Sequence, residues 1–207
     1  SHTSPSWLLN GQQFFIDFDC WTSEAAGVRV SARPYTDGAL TPGYAASGLS
    51  ILPTGSSTGQ QWFRFMSSTH DVDAIRFQVW NSTMTTVLLE VFIPVDLHWG
   101  DVSISNITFD PPFPECLALD QSVTVGFDYA TSDPAGCYTW AFGTSEDPDV
   151  YFDQTYSGSI LLPVSGHLER SFRMVRNEYH INGVRFLMEN HDRTAQLLDL
   201  TIPVEYH

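Results

Sequence analysis

The chain has 207 residues, 24 Asp and Glu against 9 basic residues, all of them Arg, and a formal net charge of −15. Nothing in it neutralises a row of phosphates, and its acidity opposes an anionic bilayer, so nucleic acid and membrane are excluded as partners. The lack of Lys removes Schiff-base chemistry and a phosphate-loop Lys, while 43% hydrophobic and 14% aromatic content marks a folding chain.

In chain order, SHTSPSWLLNGQQ is Ser- and Pro-rich and then apolar at Trp7, Leu8 and Leu9. Phe14, Ile16 and Phe18 alternate with Phe15, Asp17 and Asp19, the period of a strand. A turn over Thr22 to Gly27 leads into GVRVSA, with Val28, Val30 and Ala32 on one face. The Gly- and Pro-dense stretch ARPYTDGALTPGYAASG reads as irregular, SILP as a short strand, TGSSTGQQ as a flexible turn and WFRFM as a strand. Asp71 to Trp80 and Val87 to Leu97 form a hairpin around NSTM, with Ile75, Phe77, Val79 and Leu89, Val91, Ile93, Val95 facing inward. No segment sustains a helical period.

The stretch Val72 to His98 recurs as Ile181 to His207 at an offset of 109 residues without a gap, and ten of 27 positions are identical. Chance gives roughly two. Arg76/Arg185, Asn81/Asn190, Thr85/Thr194, Pro94/Pro203 and His98/His207 are among them. The match extends backward: FFIDFDCWTSEAAG pairs with VTVGFDYATSDPAG, aligning Gly27 with Gly136, and Pro5, Leu8 and Gln12 align with Pro114, Leu117 and Gln121. The chain is therefore a tandem duplication. Pro94 and Pro203 cannot donate to a ladder and are expected on a strand edge or at a bulge. Arg76 and Arg185 are expected to point outward and to pair with a nearby carboxylate.

The expected fold is all-β: two tandem antiparallel β-sandwich domains related by internal duplication, residues 1–99 and 100–207. In strand number and turn spacing these modules resemble tandem immunoglobulin-like or fibronectin-III-like extracellular domains. The Cys…Trp…Cys spacing of true immunoglobulin domains is absent.

The two copies are unequal. Val102 to Phe109 alternates as a strand ahead of the shared region, and subtracting the offset of 109 places its counterpart before residue 1. Module one is thus expected to lack its first strand, unless Trp7 to Asn10 serves as a shortened one or the chain is trimmed. A sandwich without a strand presents an unpaired edge and an apolar groove. Burying an eight-residue strand there contributes about 6–12 kcal/mol before ordering costs. The expected function follows: a non-enzymatic, secreted, extracellular structural protein whose copies join head to tail into a filament, self being the partner. The last strand ends flush at His207, so a donor comes from the N-terminal segment or the contact is edge to edge.

Other groups have bland and functional readings. Glu146, Asp147, Asp149 and Asp153 form either a solvated acidic loop or a weak Ca²⁺ site, calcium being the one cofactor considered. Cys116 and Cys137 are expected to form a disulfide, with Cys20 left over. Asn81 and Asn106 head sequons for N-glycan. Trp62, Trp80, Tyr35 and Tyr44 are the aromatics for an alternative reading, a carbohydrate-binding or adhesion module with glycan as partner. Trp99 is expected to pack between modules. No nucleophile or metalloprotease motif occurs, and His98 with its echo His207 reads as a strand-end feature.

Overall fold

The computed structural model describes residues 6–147 and 149–207; Pro5 of the repeat alignment lies outside them. The chain divides into two compact units, Ser1–Gly100 and Asp101–His207. Unit one contains β1 (Ser6–Leu9), β2 (Phe14–Thr22), β3 (Val28–Thr36), β4 (Ala39–Leu40), β5 (Tyr44–Ala46), β6 (Ser50–Leu52), β7 (Gly55–Phe65), β8 (His70–Asn81) and β9 (Val87–Gly100). Its two sheets run β1-β9-β8-β3-β4, with β6 also on β3, and β2-β7-β5. Unit two contains β10 (Val102–Asp110), β11 (Val123–Thr131), β12 (Cys137–Thr144), the one-turn α1 (Val150–Asp153), β13 (Gln154–Tyr156), β14 (Ile160–Leu162), β15 (Ser165–Met174), β16 (Ile181–Asn190) and β17 (Gln196–Tyr206). Its sheets run β10-β11-β15-β13 and β14-β12-β16-β17; β10-β11-β15 and β12-β16-β17 are the A-B-E and C-F-G orders of an immunoglobulin-like sandwich, with a short strand added at one edge of each.

The duplication is visible in packing. Phe18 meets Phe77 edge-on at 4.9 Å in unit one, and the equivalent Phe127 meets Phe186 at 5.2 Å in unit two. Gly27 and Gly136 both take positive φ, +73° and +88°, with Leu52 O and Leu162 O where a Cβ would stand, so only glycine fits either turn. Gln12 Oε1 accepts from Leu9 N at 3.0 Å, as Gln121 Oε1 does from Ala118 N. Asn81 closes its hairpin by accepting from Thr85 N and Thr86 N; Asn190 does the same with Thr194 N and Ala195 N. Pro94 and Pro203 lie beside the same register shift, Pro203 on the edge strand β17 and Pro94 on the part of β9 that β1, paired only from Leu97 to Gly100, does not reach, so a missing donor costs no ladder bond on that side.

Two expectations are corrected in unit one. The stretch from Gly55 to Gln61 is strand, pairing with β2 from end to end, from Thr22↔Gly55 to Phe14↔Phe63. It carries no apolar signal because Gly59 must leave room for the Phe18 ring, which stands 2.4 Å from where a Cβ would be. Trp99 is not a linker residue. It is fully buried among Phe14, Phe63 and Phe65, and its Nε1 donates to Gln12 O at 3.1 Å. With Leu97 also buried, period-two alternation carries the inner face of β9 to its end.

Candidate strand-acceptor site

In unit two β11 lies between β10 and β15: Val102 faces Thr131 and Asp110 faces Thr124 on one side, and Val123 faces Phe172 on the other. Its counterpart β2 pairs with β7 alone among the described residues. β1 does not take the place of β10 there. It runs parallel to the end of β9, Ser6↔Leu97 to Leu9↔Gly100, in the opposite sheet. The same parallel contact exists in unit two, where Glu115 faces Tyr206, in addition to β10.

The consequence appears on β9. Its register with β8 places Leu89 opposite Val79, Val91 opposite Phe77 and Ile93 opposite Ile75, all three β8 residues belonging to the core clusters. Leu89, Val91 and Ile93 should therefore be covered, yet they are 50%, 38% and 41% exposed. Their counterparts Leu198, Leu200 and Ile202, opposite the fully buried Met188, Phe186 and Val184, are only half-buried to solvent, never exposed. Val87, Leu88 and Phe92 add further exposed apolar surface to the same strand. A long hydrophobic edge of this kind is a template for another chain. Together with the edge of β2 that no described strand pairs with, where Ile16, Phe18 and Cys20 are partly exposed, it leaves an open side, or slot, on unit one.

The remaining sequence candidates are placed as follows. The acidic four do not converge: Asp147 Oδ1 accepts from Asp149 N at 2.9 Å, and Asp153 is held by Tyr179 OH at 2.7 Å and by the Asn177 amide. The loop's carboxylates serve its own backbone and the neighbouring strand end. Cys116 and Cys137 are not joined; all three cysteines are free. Cys137 faces Asn190 at one end of β16, whereas Cys116 adjoins Glu115, which faces Tyr206 opposite Ile181 at the other end. Nine residues of strand separate them by about 30 Å, far beyond the roughly 7 Å that a disulfide spans. Burial pushes the Cys137 thiol up to about 11. The Asn81 amide donates to Thr85 Oγ1, and Asn106, on the β10 bulge, donates to Asp128 Oδ2 at 2.6 Å.

The four aromatics do not form one surface. Trp62 lies on β7 and Trp80 on β8, each beside an inward residue (Phe63, Val79) and so on the outer faces of different sheets. Tyr35 is buried beneath Arg76 at 4.9 Å and Phe92 at 5.2 Å. Tyr44 packs against the core of unit one. The expected Arg–carboxylate pair forms once. Arg185 grips Asp199 with two bonds, Nε–Oδ1 2.7 Å and Nη2–Oδ2 2.6 Å, holding the Asp199 carboxyl below its ordinary value. In unit one the equivalent Glu90 takes the Gln78 amide, and Arg76 lies on Tyr35.

One cluster escaped the sequence reading. His180, Glu205 and His207 bring one ligand atom each within 4.8 Å of one another. The signal was the His98/His207 echo, but His180 corresponds to Asp71 and is invisible to a search for identities. Beside it lies a pocket of about 140 Å³, lined by Leu117, Val123, Phe172, Met174 and His207 among others, smaller than an ordinary ligand site. No described helix is long and apolar enough to cross a membrane.

No family model matches the chain, and no curated protein does. Among solved structures, it is similar to a chaperone–tip adhesin complex of CFA/I fimbriae biogenesis, at 12% identity over 96% of this chain and 94% of that one, with a TM-score of 0.32. It is also similar to the class 5 fimbriae chaperone CfaA, at 11% identity over 96% and 94%, TM-score 0.31. The secreted serine protease VesC from Vibrio cholerae gives 7% identity over 97% of this chain and 49% of that one, TM-score 0.26. Likenesses this distant say nothing about partners, and the functional reading comes from the slot itself.

Proposed function

We propose that the protein is a non-enzymatic structural subunit of an extracellular filament, in which an extended segment of a second copy fills the slot between β2 and β9. The observation that carries this is the exposure of Leu89, Val91 and Ile93 on the inner side of β9, where the equivalent residues of unit two, which has β10 on β11, are half-buried. The incoming segment adds antiparallel to β2 in the register of β10 on β11. Transferred by the offset of 109, it runs opposite Thr22 at its start and Phe15 at its end, with apolar side chains where Val102 and Ile104 point inward. A slot at one place and a donor at another make the contact heterologous, and heterologous contacts that do not close produce fibres.

Electron microscopy of the purified chain, with and without EDTA, tests the reading. Filaments or open chains of subunits are expected, and they are expected to vanish when Val91 and Ile93 are both changed to Asp. Monodisperse monomers at high protein concentration overturn it.

A further inference from the structure

We propose that His180, Glu205 and His207 bind a divalent transition metal of the zinc class, with the Cys116 thiolate as fourth ligand. The backbone explains why these residues meet. Ile181 faces Tyr206 across β16 and β17, both fully buried, so the flanking His180 and His207 project together on the outer side. Glu205 lies two residues before His207 and shares that side. The imidazoles stack at 4.6 Å with 13° between their planes, and His207 Nε2 stands 3.4 Å from Glu205 Oε1. Tetrahedral zinc with bonds of about 2.0–2.1 Å spaces its ligand atoms by about 3.3 Å. The His207–Glu205 pair already has that spacing, and the exposed His180 ring closes the rest by rotation.

Cys116 enters through the parallel contact. His207 N donates to Glu115 O at 3.0 Å and Leu117 N donates to His207 O at 2.7 Å, which sets Cys116 directly opposite His207. In unit one the residues so paired are Trp7 and His98, and their side chains stack at 5.5 Å on the same side. Cys116 is exposed and free. Two imidazoles, a carboxylate and a thiolate form a donor set for zinc, copper or nickel rather than calcium or magnesium.

The duplication supplies an internal control. The equivalent positions in unit one hold Trp7, Asp71, Asp96 and His98. There both imidazole nitrogens are engaged, Nδ1 with Asp71 at 2.6 Å and Nε2 with Asp96 at 2.8 Å, and Trp7 covers the ring. Each unit pins its last strand at this corner, unit one by an Asp–His–Asp bridge and unit two by a metal.

The test is titration of the full chain, kept reduced, with Zn²⁺ against a chromophoric chelator, and with Co²⁺ followed by absorption. One equivalent of zinc is expected, with a thiolate-to-cobalt charge-transfer band. The double variant His180→Ala/His207→Ala should lose the site, and His98→Ala should keep it. Cys116→Ser should lose the band and at least about tenfold in affinity, the least that even an outer partner of a metal ligand is worth. All four side chains are solvent-facing, so an unchanged far-ultraviolet circular dichroism spectrum is expected for each variant. No zinc uptake, or uptake unchanged in the double histidine variant, overturns the proposal; a bound cobalt without the thiolate band overturns the place given to Cys116.

Discussion

Units one and two are one fold written twice, and among the described residues they differ most at β10, which has no counterpart in unit one. Unit two has β10 beside β11 and keeps the inner residues of β17 half-covered. Among the described residues, unit one ends its smaller sheet at β2, and the matching residues of β9 are exposed. The core pair Phe18/Phe77 is nonetheless preserved as Phe127/Phe186. Leu8, Phe14, Phe63, Phe65 and Trp99 form a packed core in unit one. The described residues of unit one thus form a packed sandwich with an open side at β2.

Emptying the core of one unit should separate the two most. Trp99→Ala should cost unit one about 3–5 kcal/mol. It should lower one of two calorimetric transitions and leave the other in place; a common shift would show that the units do not melt separately. Next comes a polar contrast in the cores. Gln61 is fully buried but satisfied, accepting from Ser47 Oγ at 2.8 Å and donating to Ser50 Oγ at 2.6 Å. Its counterpart Arg170 is buried with Nε and Nη2 lacking any hydrogen-bond partner, and burial lowers its pKa. Arg170→Met should raise the unit-two transition by about 1–4 kcal/mol, whereas a drop would point to a partner for the guanidinium.

The slot itself gives a paired substitution. Val91→Asp should stay within about 1 kcal/mol of the parent, because the residue is already wet, while Leu200→Asp should cost about 1–3 kcal/mol. Equal costs in denaturant unfolding would mean that the slot is not open. The smallest effect concerns the hairpin tips. Unit one ties its tip by Arg29 Nε donating to Ser82 O at 2.7 Å. Unit two uses His191 Nδ1 and Asp133 at 3.0 Å, a bond that raises the His191 pKa and lowers that of Asp133. The histidine part of this tie is complete below the unfolded histidine value and is lost as pH rises through the raised folded value. By NMR His191 should titrate above an ordinary histidine and return to it in Asp133→Asn.

The duplication and the strand periods were legible because alternation of large apolar residues, as in Phe14–Phe18 or Ile75–Val79, survives in any sequence. That β10 has no counterpart among the described residues of unit one was legible from the offset alone. Residues whose role depends on a neighbour across the sheet were not. Gly55 to Gln61 looked like a turn because its inner face is small to admit Phe18. Trp99 looked like a linker residue because the ring cluster around it comes from β2 and β7. Cys116 and Cys137 looked like a pair because sequence distance says nothing about which end of β16 each one meets. The His180–Glu205–His207 corner stayed hidden because His180 and the neighbouring Cys116 are unlike their counterparts Asp71 and Trp7 in the first copy.

The central claim is that unit one accepts a strand. A fluorescent peptide with the sequence of Val102 to Asp110 offers that strand directly to the full chain. Anisotropy should show saturable binding, with release of subunits from any polymer as the peptide takes the slot, and Val91→Asp/Ile93→Asp should abolish both. No binding by the parent chain, or equal binding by the double variant, would contradict the account.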